Sequence, residues 1–515
     1  MILLGVDIGT SAVKASAINM SGEILSQGSA SYETQYPRTG WAEQSPEDWY
    51  EGACRAINSC LVSRKFKGSE IGGIALVGPA HNVALLDNRD RIIRSCIHWS
   101  DLRSEPQTKR LNETAGDRIF NASGQTVNPS WTLSQLAWVQ ESEPENWKRI
   151  RKILVTKDYV RYRFTGEYLT DPYDAVGTQL YDLNRGTWSD EMCSLICLDP
   201  QLLPVVRSSH GSAGTLSASV ATRLGLSPGV PVAVGGGDSA VEAFGAGAMI
   251  PGDCVVKLGT SGSVNVVTAS PETSRKTLTY PYLIDTLGLT IAVTSNGAAA
   301  VRWLRSNVIS RNDITFDELV DSAKNVPAGS RGLVFHPYLS GERTPHWDPQ
   351  LRASFIGLSG SHGLPEMVRA VLEGVAYALR DCMETVKELG FQVKSPILLG
   401  GGSRSPFWSS IVASVLDIEL RKPQFDDASV GAAKLAGVSV GSYANWTEAA
   451  RVGAARNDLI VPNPKDIGTY DDYFQVFRDS VRDIGPYYHR LYQLSQTSNL
   501  SVEGNSDANS ATTTV

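Results

Sequence analysis

One hexapeptide pattern occurs twice in this chain: Val6-Asp7-Ile8-Gly9-Thr10-Ser11 and, half the chain later, Val256-Lys257-Leu258-Gly259-Thr260-Ser261. Each copy ends an apolar, strand-like run in a Gly-Thr-Ser turn. A repeat at half of 515 residues is far too long for a solenoid period. It fits two related domains, each offering a turn with the same job. Length agrees, since at roughly 100–200 residues per domain the chain accommodates two to four.

The segments between the two copies show where the elements lie. Residues 2–29 read as consecutive strands, with turns at Asp7–Ser11 and Ser21-Gly22. Such a hairpin-rich opening is unlike the strand–loop–helix start of a dinucleotide-binding unit. Ser45 is a good N-cap, Pro46 suits the first helical position, and Trp49, Ala53, Ile57 and Cys60 recur on one face, predicting a helix. Ile71 to Leu86 reads as two strands around Gly78-Pro79-Ala80-His81. The turn-rich Leu226-Ser227-Pro228-Gly229 predicts a domain boundary. Beyond it, the strand Val230–Val234 leads into Gly235-Gly236-Gly237-Asp238. The longest helix runs from about Pro365 to Leu389, on an apolar stripe that includes Val368, Leu372, Val375 and Leu379. The strand Ile397–Leu399 then ends in Gly400-Gly401-Gly402-Ser403. Residues 470–496 place aromatic side chains at helical spacing. From Thr497 the Ser/Asn/Thr-rich chain reads as a disordered tail.

Gly-Thr-Ser turns leave backbone N–H groups free and add hydroxyl donors, a concavity suited to phosphate. Two such turns can serve one polyphosphate, although each taken alone is also an ordinary hairpin turn. Neither G-x-x-x-x-G-K-[ST] nor G-x-G-x-x-G occurs, so this is not a P-loop chain. Asp7 cannot bind phosphate directly, because like charges repel. It makes sense with Mg²⁺ between carboxylate and phosphate, or as a turn-forming Asp bonded to its own backbone. Lys14 either adds positive charge or faces solvent. Asp238 follows three glycines, which admit a ligand or another backbone. A carboxylate there can accept a proton from a substrate hydroxyl, the main help phosphoryl transfer needs beyond positioning and charge; a helix-capping Asp is the other local reading. Gly401, Gly402 and Ser403 offer a flat bed for an adenine ring or form a plain strand–helix connection.

Taken together, these residues resemble the FGGY carbohydrate kinases, and the xylulokinase branch most closely. The resemblance runs from residue 2 to about residue 495. It is carried by Gly5-Val6-Asp7-Ile8-Gly9-Thr10-Ser11, Gly40-Trp41-Ala42-Glu43-Gln44, Trp99-Ser100-Asp101-Leu102-Arg103 and Lys157-Asp158-Tyr159. Gly235–Asp238, Leu258–Gly262, the segment Tyr338-Leu339-Ser340-Gly341-Glu342-Arg343-Thr344-Pro345, Gly400–Ser403 and Gly431-Ala432-Ala433 continue it in order.

The resemblance implies an α/β fold of two actin-like, ribonuclease-H-type ATPase domains around a central cleft. Residues 1–229 would form an N-terminal, mainly sugar-binding domain and residues 230–496 a C-terminal, mainly ATP-binding one, followed by the tail 497–515. It implies Asp7 as the metal residue, and Thr10, Ser11, Lys14, Gly259, Thr260, Ser261, Gly401, Gly402 and Ser403 around ATP and its phosphates. Asp238 would be the base. His81, Ala80, Trp99, Asp101 and Asp238 would meet the sugar. Where xylulokinases commonly carry Gly-Gln-Met-His-Gly, this chain has Gly78-Pro79-Ala80-His81-Asn82. His81 keeps a ring nitrogen for a hydroxyl, and Ala80 is expected to open space where Met would pack.

The expected activity is therefore ATP-dependent, Mg²⁺-assisted phosphorylation of a small sugar, D-xylulose or a related ketopentose, at a terminal hydroxyl. The altered pocket edge keeps gluconate, a polyol or a ketohexose in play. A non-catalytic sugar or nucleotide sensor on the same fold is the reading from another class. A formal net charge of −7 argues against nucleic acid or an anionic membrane as partner. Seven scattered cysteines with no C-x-x-C pair argue against a disulfide framework or zinc site. With no secretory signal and no apolar run near the roughly 18 residues of a membrane span, a cytoplasmic enzyme is expected, with homodimer formation left open.

Overall fold

The computed structural model describes all residues except 63–65, 285, 312, 425–426, 454–457 and 510–515, and side chains as far as Leu494. The contacts divide the chain into two units. The first comprises Met1–Cys254, Val266–Thr290 and Pro423–Asn457; the second comprises Val255–Asn265, Ile291–Lys422 and Asp458–Val515.

The first unit is built on a mixed sheet. Its strands are β1 (Ile2–Ile8), β2 (Ala12–Asn19), β3 (Ile24–Ser31), β4 (Ile71–Gly78), β5 (Ser212–Thr215), β6 (Pro231–Ala233) and β7 (Gly236–Gly237). They are ordered β5-β6-β4-β1-β2-β3, with β7 pairing β4 off this path. The expected hairpin opening is present: β1, β2 and β3 are antiparallel neighbours, while β4 joins β1 in parallel. β1 is buried at nearly every position, as its unbroken apolar run requires.

The helix Pro46–Val62 covers β2 and β3, burying Trp49, Ala53, Ile57 and Cys60 as the periodicity predicts. The helix Ala428–Ser439 lies on β1 and β4. It comes so close that a Cβ on Gly5 would stand 1.9 Å from the Ser429 carbonyl oxygen and 2.2 Å from the Ala433 nitrogen. Small residues on both elements make this approach possible. Gly431 does the same on another side, where a Cβ would sit 2.2 Å from the carbonyl oxygen of Val241 in the helix Asp238–Gly245.

The expected boundary after residue 229 falls inside this unit. Ser227-Pro228-Gly229 lies in the connection between the antiparallel strands β5 and β6, tied by backbone bonds from Leu216 to Val230 and from Gly229 to Leu216. Turn residues there mark the return from the helix Ala218–Leu224 into β6, within one unit.

A second sheet, most of it in the second unit, carries β8 (Asp253–Leu258), β9 (Gly262–Thr268), β10 (Gly288–Thr294), β11 (Lys394–Leu399), β12 (Leu420–Lys422) and β13 (Asp458–Ile460), in the order β10-β9-β8-β11-β12-β13. The long amphipathic helix Leu364–Glu388 packs beside the helix Pro406–Leu416, where the Trp408 indole donates to the Leu372 carbonyl at 3.1 Å. A helix, Ile467–Asn509, ends the described chain. The helix continues over 497–509, within the stretch where a disordered tail was expected. The rest of the tail, 510–515, lies outside the described residues. Among the described residues no helix is long and apolar enough to cross a membrane.

Candidate active site

Asp7 stands at the end of β1, directly across from Lys14 on β2. Lys14 donates to Asp427 at 3.1 Å, linking residues 413 positions apart. Asp427 in turn caps the helix Ala428–Ser439, accepting from the Ser429 backbone at 3.0 Å and its hydroxyl at 2.7 Å. Burial first, then the charges of Asp238 and Asp427, and finally Glu242, push the Asp7 carboxyl up to about 8; Lys14 opposes this only in part. A half-buried carboxylate among three others is short of positive charge, the situation a divalent cation relieves. Among the described residues no group of three or more His, Cys, Asp or Glu side chains closes into a ready ligand shell. That donor set suits Mg²⁺, which takes one or two carboxylates and completes its shell with phosphate oxygens and water.

Thr10 and Ser11 are exposed at the tip of this hairpin. Two residues that sequence reasoning gave no site role hold the tip. The Gln44 amide donates to the Thr10 carbonyl at 2.8 Å and is itself fixed by the Trp49 indole at 3.0 Å, while the Tyr32 hydroxyl donates to the Gly9 carbonyl.

Asp238 is the first residue of its helix and half-buried, its Oδ1 accepting from the Ser239 backbone at 2.6 Å and hydroxyl at 3.2 Å. The glycines before it make room for protein. A Cβ on Gly235 would meet the Leu76 carbonyl oxygen at 2.1 Å, and one on Gly237 would meet the Tyr173 ring at 2.1 Å. Tyr173 stacks on Tyr280, with ring centres 4.1 Å apart and planes 14° apart. The Tyr280 hydroxyl lies 3.5 Å from His81 Nε2. His81 Nδ1 is 3.0 Å from the Gly177 carbonyl, and its ring meets Trp131 edge-on at 3.9 Å. Gly237, immediately before Asp238, thus begins a continuous run of contacts through Tyr173 and Tyr280 to His81. Neither tyrosine carries a motif in the sequence; only the clash at Gly237 reveals why one must be there.

Two expectations for the sugar side are corrected. Ala80 opens no space: it is buried, and a Cβ on Gly177 would come within 2.8 Å of its methyl group. Asp101 is not open to a hydroxyl. Its oxygens take a fork from Arg103 at 2.7–3.0 Å and the Ala42 N–H at 2.5 Å, so it holds loops together. Trp99 is exposed beside His98, with its backbone N–H on Asn82 Oδ1 at 2.7 Å.

In the second unit, Gly259, Thr260 and Ser261 join β8 to β9. The Gly259 and Thr260 carbonyls accept from Ala298 and Gly297, at 2.7 and 2.9 Å. Gly297 has to be glycine, since a Cβ would lie 2.5 Å from the Gly259 oxygen. The Thr260 hydroxyl accepts from the exposed Arg302 at 3.0 Å, a cation the sequence did not flag. Gly401 faces open space, as a nucleotide bed requires. Gly400 and Gly402 are packed against Leu258, and Ser403 is buried with its hydroxyl on the Gly400 carbonyl at 2.7 Å. Ser403 therefore closes its own turn. Glu342 is also buried, accepting from the Thr294 hydroxyl at 2.7 Å and from the Ser295 and Arg343 N–H groups at 2.6 and 2.7 Å.

Residues 2–245 match the N-terminal domain model of the FGGY family of carbohydrate kinases, and residues 254–440 match the C-terminal domain model. The chain belongs to the FGGY carbohydrate kinases. This kinase is 31% identical over 484 residues to a xylulose kinase of Bacillus subtilis, covering 93% of the chain and 96% of that protein. A gluconokinase of the same organism is 29% identical over 448 residues, with 84% and 86% covered. Among solved structures, a xyloylose kinase from Brucella ovis superposes with a TM-score of 0.87 at 31% identity, over 95% of this chain and all of that one. The enzyme is thus an ATP-dependent sugar kinase with the two-domain, actin-like FGGY fold.

Proposed function

We propose that this kinase phosphorylates a neutral ketose, D-xylulose or a related ketopentose, at a terminal hydroxyl. The carrying observation is the run of contacts Gly237–Tyr173–Tyr280–His81, which starts beside the carboxylate of Asp238 at a helix start and ends at an imidazole with one nitrogen already committed. Asp238 takes the proton of the attacking hydroxyl. The hydroxyl oxygen bonds to the γ-phosphorus of ATP, the bond to the bridging oxygen breaks, and ADP leaves. Asp7 would hold Mg²⁺, which supplies positive charge to the transferring phosphate. Thr260, Ser261 and Gly401 support the nucleotide reading of the second unit.

His81 stands among the Trp131 ring, the Tyr280 hydroxyl and the Gly177 carbonyl, an aromatic and hydroxyl-bearing corner of the kind that suits a neutral sugar. Gluconate is the second reading, favoured by the 29% identity to a gluconokinase. ADP release measured across ketopentoses, ketohexoses, polyols and aldonates, with the phosphorylated carbon assigned by NMR, tests both. A ketopentose is expected to give the highest kcat/KM. Faster turnover of gluconate would replace the first reading with the second.

A further inference from the structure

A buried charge cluster of the first unit is tied to the strand that leads into the proposed base, and the chemistry above leaves it unused. Lys157 Nζ touches Asp158 at 2.7 Å, Asp171 at 2.8 Å and Asp174 at 2.8 Å, with every one of these side chains fully buried. Arg161 joins through Asp158 at 2.5 Å. Three carboxylates and two cations in a dry interior are costly to assemble, and a well-packed apolar group would fold the chain as well. Such a cluster calls for a reason beyond stability.

Its outward bonds supply one. Arg161 donates to the Val234 carbonyl at 2.6 Å, immediately before Gly235-Gly236-Gly237-Asp238. Asp171 accepts from Ser209 at 3.4 Å, and the Ser209 carbonyl receives the Gly235 N–H at 2.9 Å. The stem of Lys157 lies 3.4 Å from where a Cβ of Gly235 would be. The strand that delivers Asp238 is therefore gripped on successive residues by groups fastened to Lys157.

The short helix Pro172–Gly177 is gripped by the same lysine at two points. Asp171 is its N-cap, accepting from the Tyr173 N–H at 3.1 Å, and Asp174 lies within it. Tyr173 packs on Gly237 at one end of the helix, and the Gly177 carbonyl holds His81 at the other.

We propose that Lys157 is a positioning residue that fixes the spacing between Asp238 and His81, and through it both the rate and the sugar selectivity of the kinase. The inference rests on the sugar-kinase reading given above. Lys157 touches neither substrate; it sets the frame on which both contacts are mounted. A shift of about 1 Å in such a frame costs on the order of a hundredfold in rate.

The test compares wild type with Lys157→Arg and Asp171→Asn. The first keeps the charge in a wider head, and the second keeps the shape with a weaker grip. Lys157→Met would leave three carboxylates facing one arginine and is expected to misfold. Each kinase is assayed by thermal melting and by kcat and KM for ATP and for two ketoses of different length. In the variants that melt as folded proteins, kcat/KM for sugar should fall about ten- to a hundredfold. The preference between the two sugars should change, and KM for ATP should stay within about twofold. Unchanged sugar kinetics in a folded variant would overturn the proposal, as would a parallel loss of ATP affinity. Failure of both variants to fold would also overturn it, because the cluster would then serve folding alone. A wild-type enzyme that turns over no sugar would bring down the sugar-kinase reading, and the proposal with it.

Discussion

The hairpins β1–β2 and β8–β9 share a strand, a Gly-Thr-Ser turn and a return strand, yet their electrostatics are opposed. At the first, Asp7 is crowded by Asp238, Asp427 and Glu242. At the second, Lys257 occupies the position of Asp7, and Arg302 reaches the turn hydroxyl. A phosphate is repelled at the first hairpin unless a cation intervenes, and attracted at the second without one. Their packing differs too. Gly5 lets a helix touch β1, whereas the matching residue of β8 is Val255, with the branched side chain β1 excludes. One backbone motif has thus been given two jobs by what surrounds it.

The largest effect expected is at the carboxylate side. Asp238→Ala should keep the melting temperature and ATP binding but lower kcat by about 10²–10⁴-fold, the usual worth of a general base. Near-normal turnover would remove the base from this hairpin's neighbourhood and flatten the contrast.

Asp7→Asn separates activity from stability. Turnover is expected to collapse while the ligand-free protein gains stability. The sign follows from linkage: with the folded carboxyl raised to about 8, the folded state binds more protons than the unfolded one. The stability this contributes is present at low pH and lost as pH rises from about 4 to about 8. The variant escapes that loss, so its advantage should grow over this window to roughly 2–4 kcal/mol, less than the full shift would give. Melting curves at several pH values without nucleotide check this. A variant less stable at pH 8 would mean Asp7 is not the strained member of the pair.

Gly5→Val, which writes the second hairpin's residue into the first, should destabilise by about 3 kcal/mol through overpacking against Ala428–Ser439. Denaturant titration measures it, and a cost below about 1 kcal/mol would deny the close approach. Smallest is Arg302→Met. It should raise KM for ATP about three- to tenfold, the worth of one charge-assisted contact, with kcat and KM for sugar unchanged. An unaltered KM for ATP would leave the second hairpin without its cationic character.

Much of this was legible in the sequence where the signal is local. The repeated turns, the helix start at Ser45-Pro46, the strands flanking Gly78 and the helix near 365–389 all announce themselves in runs of neighbouring residues. What escaped depends on partners far along the chain. Asp427 reaches Lys14 across 413 positions, and nothing near either residue encodes that. The three glycines before Asp238 admitted either a ligand or another backbone by sequence, and which neighbours they meet, the Leu76 carbonyl and the Tyr173 ring, is set far along the chain. Ala80 looked like a vacancy for the same reason, because Gly177 lies 97 residues downstream of it in sequence and against it in space. Asp101 sat in the right motif, yet its partner two residues on consumes it.

The helix Ala428–Ser439 belongs to the first unit, although the whole of Ile291–Lys422 is translated before it. A ribosome that has released residues 1–254 has made β1, the helix carrying Asp238 and the Lys157 cluster, but not the element that lies on Gly5 and Val241. The nascent first unit waits, one face of its sheet bare, until Ile291–Lys422 of the second unit has been made. Truncation after residue 254 should therefore yield a sticky fragment, and the two halves are not separable modules that a gene fusion could trade.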